Sequence, residues 1–327
     1  MNGCKRVSTL GMSREAWLEH RRKSIGGSDA AAIIGLSSYA TPYTVWADKT
    51  GRLPASEDTE AARQGRDLEE YVARRWREST GKRAERVNAI LYNPQYPFAH
   101  ADVDRRVVGE NAGLECKTTS SLNLRKFKGV EFPEQYYVQC VHYLAVTGAD
   151  RWYLAVLVLG REFLVYTLER DQAEIDALME AESQFWELVQ EDCPPEMDGG
   201  EATSSALGKI YADGGEAAVD LFGREAMLEE YRYLLAQKRG LELRVQQIRQ
   251  TLMQDLGEAE EGACGPFRVT WKRQKRAFIS PKKLLAVYPK LDLSKVVSVS
   301  KYRRFQIQEE RANAVNQNLP GSGADQE

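Results

Sequence analysis

The hydrophobic pattern changes period three times between residues 60 and 190, and that succession admits few folds. Residues 60–80 place Ala61, Leu68, Val72 and Trp76 at helical spacing and stop at Gly81, which predicts a long amphipathic helix. Short strand-like segments follow at 86–92, 98–102, 106–108 and 113–117, separated by Asn93-Pro94 and the turn around Gly109, as in a meander. A helix returns over 134–146 before Gly148. Residues 152–159 and 162–168 read as a hairpin through Gly160-Arg161, and 171–190 as a closing acidic helix. This is an α/β pattern.

Upstream, Ser13 caps a predicted helix over 13–22 with Glu15 and Trp17 near its start. The stretch IGGSDAAAIIG (25–35) offers two glycines, Ser28 as an N-cap, an alanine-rich helical run and a terminating glycine, and Thr41-Pro42 opens the next helix through Trp46 to Lys49. Downstream, the Pro/Gly/Ser-rich stretch 193–215 reads as a connection. The organisation expected is therefore a first domain over 1–192, a linker over 193–220, a long helix over 221–257, a small basic α+β appendage over 258–310 and a disordered tail over 311–327. The long helix carries a heptad-spaced seam of Met227, Tyr231, Leu234, Lys238, Leu241, Val245, Ile248 and Leu252, apolar at all but Lys238. Gly240 weakens it by about 1 kcal/mol. Such a seam serves packing on its own chain or self-association. The appendage is expected to hold a strand at 267–272, a helix at 281–287 and a strand at 296–307.

Composition excludes several classes. With 43% hydrophobic and 28% charged residues among 327, the chain is neither disordered nor low-complexity in bulk. Its longest apolar run, 152–159, is too short for a membrane helix, and no apolar signal segment opens the chain, so no membrane role and a cytoplasmic location are expected. Five scattered cysteines suggest neither a disulfide framework nor a zinc knuckle. The net charge of −3 conceals a segregation: residues 169–201 hold twelve acidic residues against one basic, and residues 266–305 twelve basic against one acidic. The basic strip WKRQKR supplies Lys272, Arg273, Lys275 and Arg276, with Lys282, Lys283, Arg303 and Arg304 further on. It suits phosphate-backbone contact, with Trp271 available to stack on a base, and a solvated surface accounts for it equally well.

The chemistry is concentrated in AHADVDRRVVGENAGLECKTTS (99–120). In a strand, Glu115 and Lys117 share a face while Cys116 points the other way and leaves its backbone carbonyl available. Asp102, at the end of a preceding strand, can approach from a neighbour. Two carboxylates and a carbonyl are hard oxygen ligands suited to Mg²⁺ or Mn²⁺. Lys117 would orient an attacking water or offset charge on a phosphorane, and the metal would lower the pKa of that water. Taken alone, D-x12-E-x-K is a chance pattern. Its setting adds weight: a long helix carrying Glu69 and Glu70 precedes it, and a helix bearing Gln139 follows. Glu70 lies roughly 100° round the helix from Glu69, so at most one of the two faces a metal. His142 shares a helical face with Gln139 and is read as a satisfied core histidine.

This arrangement resembles the PD-(D/E)XK nuclease superfamily, and within it the YqaJ-like viral recombinase family that includes phage lambda-type exonuclease. The resemblance rests on Trp17, Arg21 and IGGSDAAAIIG; on Thr41, Pro42, Trp46, Lys49 and Gly51; on Gly65 and Glu69; on Asp102, Glu115 and Lys117; and on Tyr136, Gln139 and Thr147-Gly148. It spans roughly residues 13–190, and the tail (TWK, a helix, then YRRF) resembles the C-terminal extension of some phage members. Ala101 stands where the family has proline before its first carboxylate, and Asp104 lies two residues on, so Asp102 is the preferred ligand with Asp104 the alternative. The resemblance implies a restriction-endonuclease-like core, a central mixed sheet flanked by helices. It implies that Asp102, Glu115 and the Cys116 carbonyl hold the metal, that Glu69 assists a second ion or its waters, and that Lys117 and Gln139 position the nucleophile. Arg21 and Ser28 match positions that contact phosphate at the processed end, and the Gly26-Gly27-Ser28 turn presents backbone N–H groups of its own to an anion.

The function these observations imply is a Mg²⁺-dependent (or Mn²⁺-dependent) exonuclease of phage type. It would digest one strand of linear double-stranded DNA ends from the 5′ side, beside a single-strand annealing recombinase and with a homo-oligomeric ring open to it. A structure- or sequence-selective endonuclease is the alternative, and a non-catalytic DNA-binding or assembly protein the third reading. Cluster-forming cysteines are absent, which disfavours an iron-sulfur relative.

Overall fold

The computed structural model describes residues 3–54, 58–120, 132–215, 218–289, 292 and 307. The chain divides into two compact units, Met1–Asp213 and Gly214–Lys301. The first runs β1 (Lys5–Ser8), α1 (Arg14–Arg22), β2 (Ile25–Gly26), α2 (Gly27–Ile33), α3 (Pro42–Lys49), α4 (Glu60–Thr80), β3 (Ala84–Arg86), β4 (Ala89–Tyr92), β5 (Ala99–Asp102), β6 (Arg105–Val107) and β7 (Ala112–Thr119). It continues through α5 (Glu134–Thr147), β8 (Arg151–Val158), β9 (Glu162–Glu169), α6 (Gln172–Gln190) and α7 (Glu201–Ile210).

The main sheet has the order β3-β6-β7-β8-β9, with β7 and β8 parallel and every other pair antiparallel. Parallel neighbours need a crossover, and α5 supplies it. Alternation along β8 sorts the core. Leu154, Val156 and Val158 cluster with Val141, Leu144 and Ala145 of α5, while Tyr153 and Ala155 cluster with Val72, Ala73 and Trp76 of α4. Helices thus cover both faces of a mixed sheet, as expected. Gly113 is required here, because a Cβ on it would lie 2.3 Å from the indole of Trp152, its ladder partner.

The meander expected over 86–117 is not what forms. β4 and β5 belong to a second sheet, of order β1-β4-β5-β2, whereas β3, β6 and β7 belong to the first. The chain changes sheet at Asn88, which sits at φ 47°, and again across Val103-Asp104. A non-glycine residue with positive φ ends strand geometry, and asparagine tolerates it best.

α4 occupies the span expected of it, capped by Thr59, whose hydroxyl accepts the Ala62 N–H at 3.2 Å, and stopped by Gly81 at φ 70°. Two other expectations are corrected. Ser28 is not an N-cap: α2 starts at Gly27, and the Asp29 carboxylate turns back to accept the Gly26 N–H at 2.9 Å. The linker over 193–220 contains α7, whose Thr203 and Ala206 are buried and whose Leu207 and Ile210 pack against the α3 cluster. Those four residues lie at i, i+3, i+4 and i+7, a helical stripe hidden by the serine, threonine and glycine around it.

The second unit consists of α8 (Glu225–Leu256), the antiparallel hairpin β10 (Glu261–Cys264) and β11 (Phe267–Thr270), and α9 (Pro281–Val287). The long helix forms as expected and buries none of its residues. The strand expected over 296–307, apart from Ile307, together with Arg303, Arg304, the side chain of Lys282 and the tail over 311–327, lies outside the described residues.

Candidate active site

β7 and α5 build the centre. Glu115 points toward α5 and is 3% exposed, and its Oε1 accepts a hydrogen bond from Gln139 Nε2 at 2.9 Å. Lys117, two residues along the same face, places Nζ 2.6 Å from that same Oε1 and 5.4 Å from the centre of the Tyr136 ring. Gln139 Nε2 also donates to the Tyr143 hydroxyl at 2.9 Å, and both side chains crowd Gly27, where a Cβ would meet the Tyr143 ring at 2.7 Å. The site is therefore closed from behind by α2. Glu115 Oε2 is buried with no hydrogen-bond partner among the described residues. An orphaned carboxylate oxygen in the interior is costly unless a cation or water meets it.

Asp104, not Asp102, is the acid that reaches this group. Its Oδ2 accepts the Cys116 N–H at 2.8 Å, and burial followed by the charges of Glu115 and Glu69 pushes its carboxyl well above the usual range. Mutual repulsion between close carboxylates is what a bound divalent cation relieves. Lys117 is raised: burial would lower it, and the charges of Glu115 and Asp104 outweigh that. Since the Cys116 N–H points at Asp104, the carbonyl of the same strand residue faces the same side, away from the β8 ladder. Asp104, Glu115 and the Cys116 carbonyl thus present a set of hard oxygens with one orphan among them, which fits Mg²⁺ or Mn²⁺ with several waters retained. Among the described residues no three His, Cys, Asp or Glu side chains converge as ligands, so the fit rests on two carboxylates and a carbonyl.

Asp102 ends β5 in the other sheet; it lines the same cleft as Asp104, and the charge of Glu115 is the last of the influences on its carboxyl. Its Oδ2 is 3.8 Å from His100 Nε2, and burial raises its carboxyl while Arg21 and a hydrogen bond from Trp17 oppose the rise. Glu69, expected beside the metal, is held by Arg105, which is 3% exposed. That guanidinium also bonds Glu70 at 3.2 Å and the Asp104 carbonyl at 2.8 Å. A buried cation accordingly occupies the helix side of the acidic cluster. Sequence reasoning missed Arg105; the adjacent Arg106 is exposed and pairs with Glu85, and only strand register distinguishes the two. A cleft of about 340 Å³ opens over Trp17, Arg66, Glu69, Asp102, Asp104 and Arg105.

Arg21 and Ser28 meet, with Nη2 donating to Oγ at 2.6 Å, and the guanidinium lies 4.7 Å from the Trp17 ring. Beneath them Lys49 Nζ is 2.6 Å from Asp29 Oδ2 and donates to the Arg21 carbonyl at 2.7 Å. Burial raises the Asp29 carboxyl, but Lys49 and Arg21 outweigh it and hold it well below the usual range. Of the turn N–H groups expected to receive an anion, that of Gly26 is already taken by Asp29. Lys272, Arg273, Lys275 and Arg276 belong to the second unit and are exposed. Lys272 lies 3.9 Å from Glu261 and Arg273 3.9 Å from Glu260.

The chain matches the YqaJ-like viral recombinase domain over residues 16–150. It is 40% identical over 304 residues to YqaJ of Bacillus subtilis (strain 168), a protein described as uncharacterized, covering 91% of this chain and 95% of that one. The chain belongs to the YqaJ-like viral recombinase family. Among solved structures, an alkaline exonuclease of Laribacter hongkongensis aligns with a TM-score of 0.47 at 19% identity, over 54% of this chain and 93% of its own. A phage-related exonuclease of Haemophilus somnus 129PT aligns with a TM-score of 0.38 at 13% identity, over 54% and 99%. For this YqaJ-family chain, as for any protein with its fold, function is argued from the site. Among the described residues no helix is long and apolar enough to cross a membrane.

Proposed function

We propose that this YqaJ-family protein is a Mg²⁺- or Mn²⁺-dependent deoxyribonuclease that digests one strand of linear duplex DNA from its 5′ end. The observation that carries the reading is the Asp104–Glu115–Lys117 cluster, in which Glu115 is buried and one of its oxygens is orphaned. Asp104, Glu115 and the Cys116 carbonyl would hold the ion, which when bound lowers the pKa of a water and polarises a phosphate oxygen. Gln139 fixes Glu115 Oε1 and so leaves Oε2 for the ion. Lys117 keeps its proton and offsets negative charge on the phosphorane. Arg21 and Ser28, backed by Lys49 and Asp29, receive the terminal phosphate beside Trp17. The 5′ polarity follows family resemblance, as does a single-strand annealing recombinase as the partner that coats the 3′ strand. Glu69 is tied to Arg105, so its part is to set the field of the site rather than to bind a second ion. Lys272, Arg273, Lys275 and Arg276 add sequence-independent phosphate contacts.

The test is digestion of linear duplexes labelled at either end, and of closed circles, with Mg²⁺ or EDTA. It is run on wild type and on Glu115→Ala, Asp104→Asn and Asp102→Asn, with Mn²⁺ binding followed by calorimetry. Loss of linear DNA alone, from the 5′ side, is expected. Activity and Mn²⁺ binding should disappear with Glu115→Ala and Asp104→Asn and survive in Asp102→Asn. Cutting of circles, or a larger loss from Asp102→Asn than from Asp104→Asn, overturns the assignment.

A further inference from the structure

The second unit displays an interaction surface that the nuclease reading does not use. α8 is 32 residues long, about 48 Å at 1.5 Å per residue, and none of its residues is buried. Its seven apolar seam residues remain between 39% and 68% exposed. A helix of this kind draws its stability from packing its apolar face, because propensity alone supplies little. The seam repeats at alternating four- and three-residue steps from Met227 to Leu252. A strict 3.5-residue repeat fits another helix wound against it, rather than a flat sheet or a small-molecule groove.

Charge selects the occupant and its direction. In a parallel, in-register pair, Lys238 would stack on Lys238 inside the seam, and Arg244 would flank Arg249 of the second helix. Both are like-charge contacts and both are unfavourable. Reversing one copy about the midpoint of the seam removes them. Met227 then faces Leu252, Tyr231 faces Ile248, Leu234 faces Val245, and each Lys238 lies beside an apolar Leu241, its stem covering the seam and its ammonium reaching water. Arg244 falls beside Gln237, and Glu230 beside Thr251, so no flanking pair carries like charges. The antiparallel arrangement also sets the two helix dipoles head to tail. The sequence of α8 is thus complementary to its own reverse.

We infer that the α8 seam is an interface for a second copy of this chain, paired antiparallel through Leu234 and Val245. The inference is independent of the nuclease reading. The full chain, studied by light scattering across a concentration series, should have twice the mass of one chain. Leu234→Glu combined with Ile248→Glu should weaken the pair by about 100-fold or more, since each sets a carboxylate against an apolar partner, Val245 or Tyr231 of the second helix, where it loses its water. Nuclease activity of the first unit should be unchanged. Orientation is read on a Cys193→Ser, Cys264→Ser background, because those two cysteines are exposed. Chains carrying Leu234→Cys and Val245→Cys, mixed, should cross-link to one another, and neither should cross-link to itself. A monomer at every concentration overturns the proposal and assigns the seam to a helix of another protein. A dimer insensitive to the paired glutamates, or cross-linking between identical positions, overturns it equally.

Discussion

His142 and Glu182 form the most consequential buried pair in the first unit, since both side chains are fully buried. Nδ1 lies 2.8 Å and 3.0 Å from the two carboxylate oxygens, and Nε2 lies 2.8 Å from the His100 carbonyl. A carbonyl only accepts, so Nε2 carries a proton, and a second proton must lie between Nδ1 and the carboxylate. Burial works against a charge on His142, but the Glu182 carboxylate and the His100 carbonyl outweigh it and raise its pKa above the ordinary value. Glu182 is also raised, by burial first, with His142 opposing. The shared proton is therefore released at a higher pH than from an ordinary histidine. The folded value being raised, the pair contributes fully below the unfolded pKa of about 6.5 and loses that contribution as pH rises through the folded value, at up to about 1.4 kcal/mol per pH unit. Glu182→Ala strands the ring in the core and should cost about 3–5 kcal/mol, which for a unit of this size lowers Tm by on the order of 10 °C. Glu182→Gln can donate to a neutral ring, so it should cost less and abolish the loss at alkaline pH. Urea unfolding from pH 6 to pH 9 measures both. A Glu182→Ala variant within about 0.5 kcal/mol of wild type, or one alkaline slope common to wild type and Glu182→Gln, would refute the argument.

Two further outcomes follow from the charged groups. Arg105→Met leaves Glu69 and Glu70 without their buried cation and should cost about 3 kcal/mol or more by urea unfolding, with Arg105→Lys recovering part of it; equal losses for both would show that the guanidinium pairing is immaterial. Replacing Lys272, Arg273, Lys275 and Arg276 together by alanine should flatten the dependence of log K for duplex DNA on log salt by up to about 0.9 for every phosphate these side chains neutralise, and an unchanged slope would assign the strip to solvent.

Much of the first unit was legible because its elements carry both a period and a stop. α4 reads from its apolar stripe and its left-handed glycine, Gly81, and α5 ends at Gly148 for the same reason, whereas the Thr59 cap that starts α4 emerged only from the structure. The face shared by Glu115 and Lys117 follows from strand alternation, and Gln139 meets Glu115 because α5 is the crossover between the two parallel strands. The basic strip and the long helix were equally visible, since charge and heptad spacing are properties of composition. The helix α7 was not, because two buried and two half-buried positions are a weak signal among residues that also make good loops.

The choice between Asp102 and Asp104 shows where alternation stops being informative. Residues two apart share a face only while the chain stays in one strand, and here it leaves one sheet after Asp102 and enters another at Arg105. Val103, 7% exposed, is buried at the crossing, which turns the next side chain toward the main sheet. Asp104 then meets the Cys116 N–H at the point where the β6–β7 pairing, last formed between Arg105 and Leu114, has run out. The gap leaves main-chain groups of β7 unpaired, and an acid delivered from the crossing fills it. The same break brings Arg105 inward against Glu69 and sends Arg106 outward to Glu85. One change of sheet therefore fixes both the acid that faces Glu115 and the cation that balances the cluster, and neither can be assigned until the register of β6 against β7 is known.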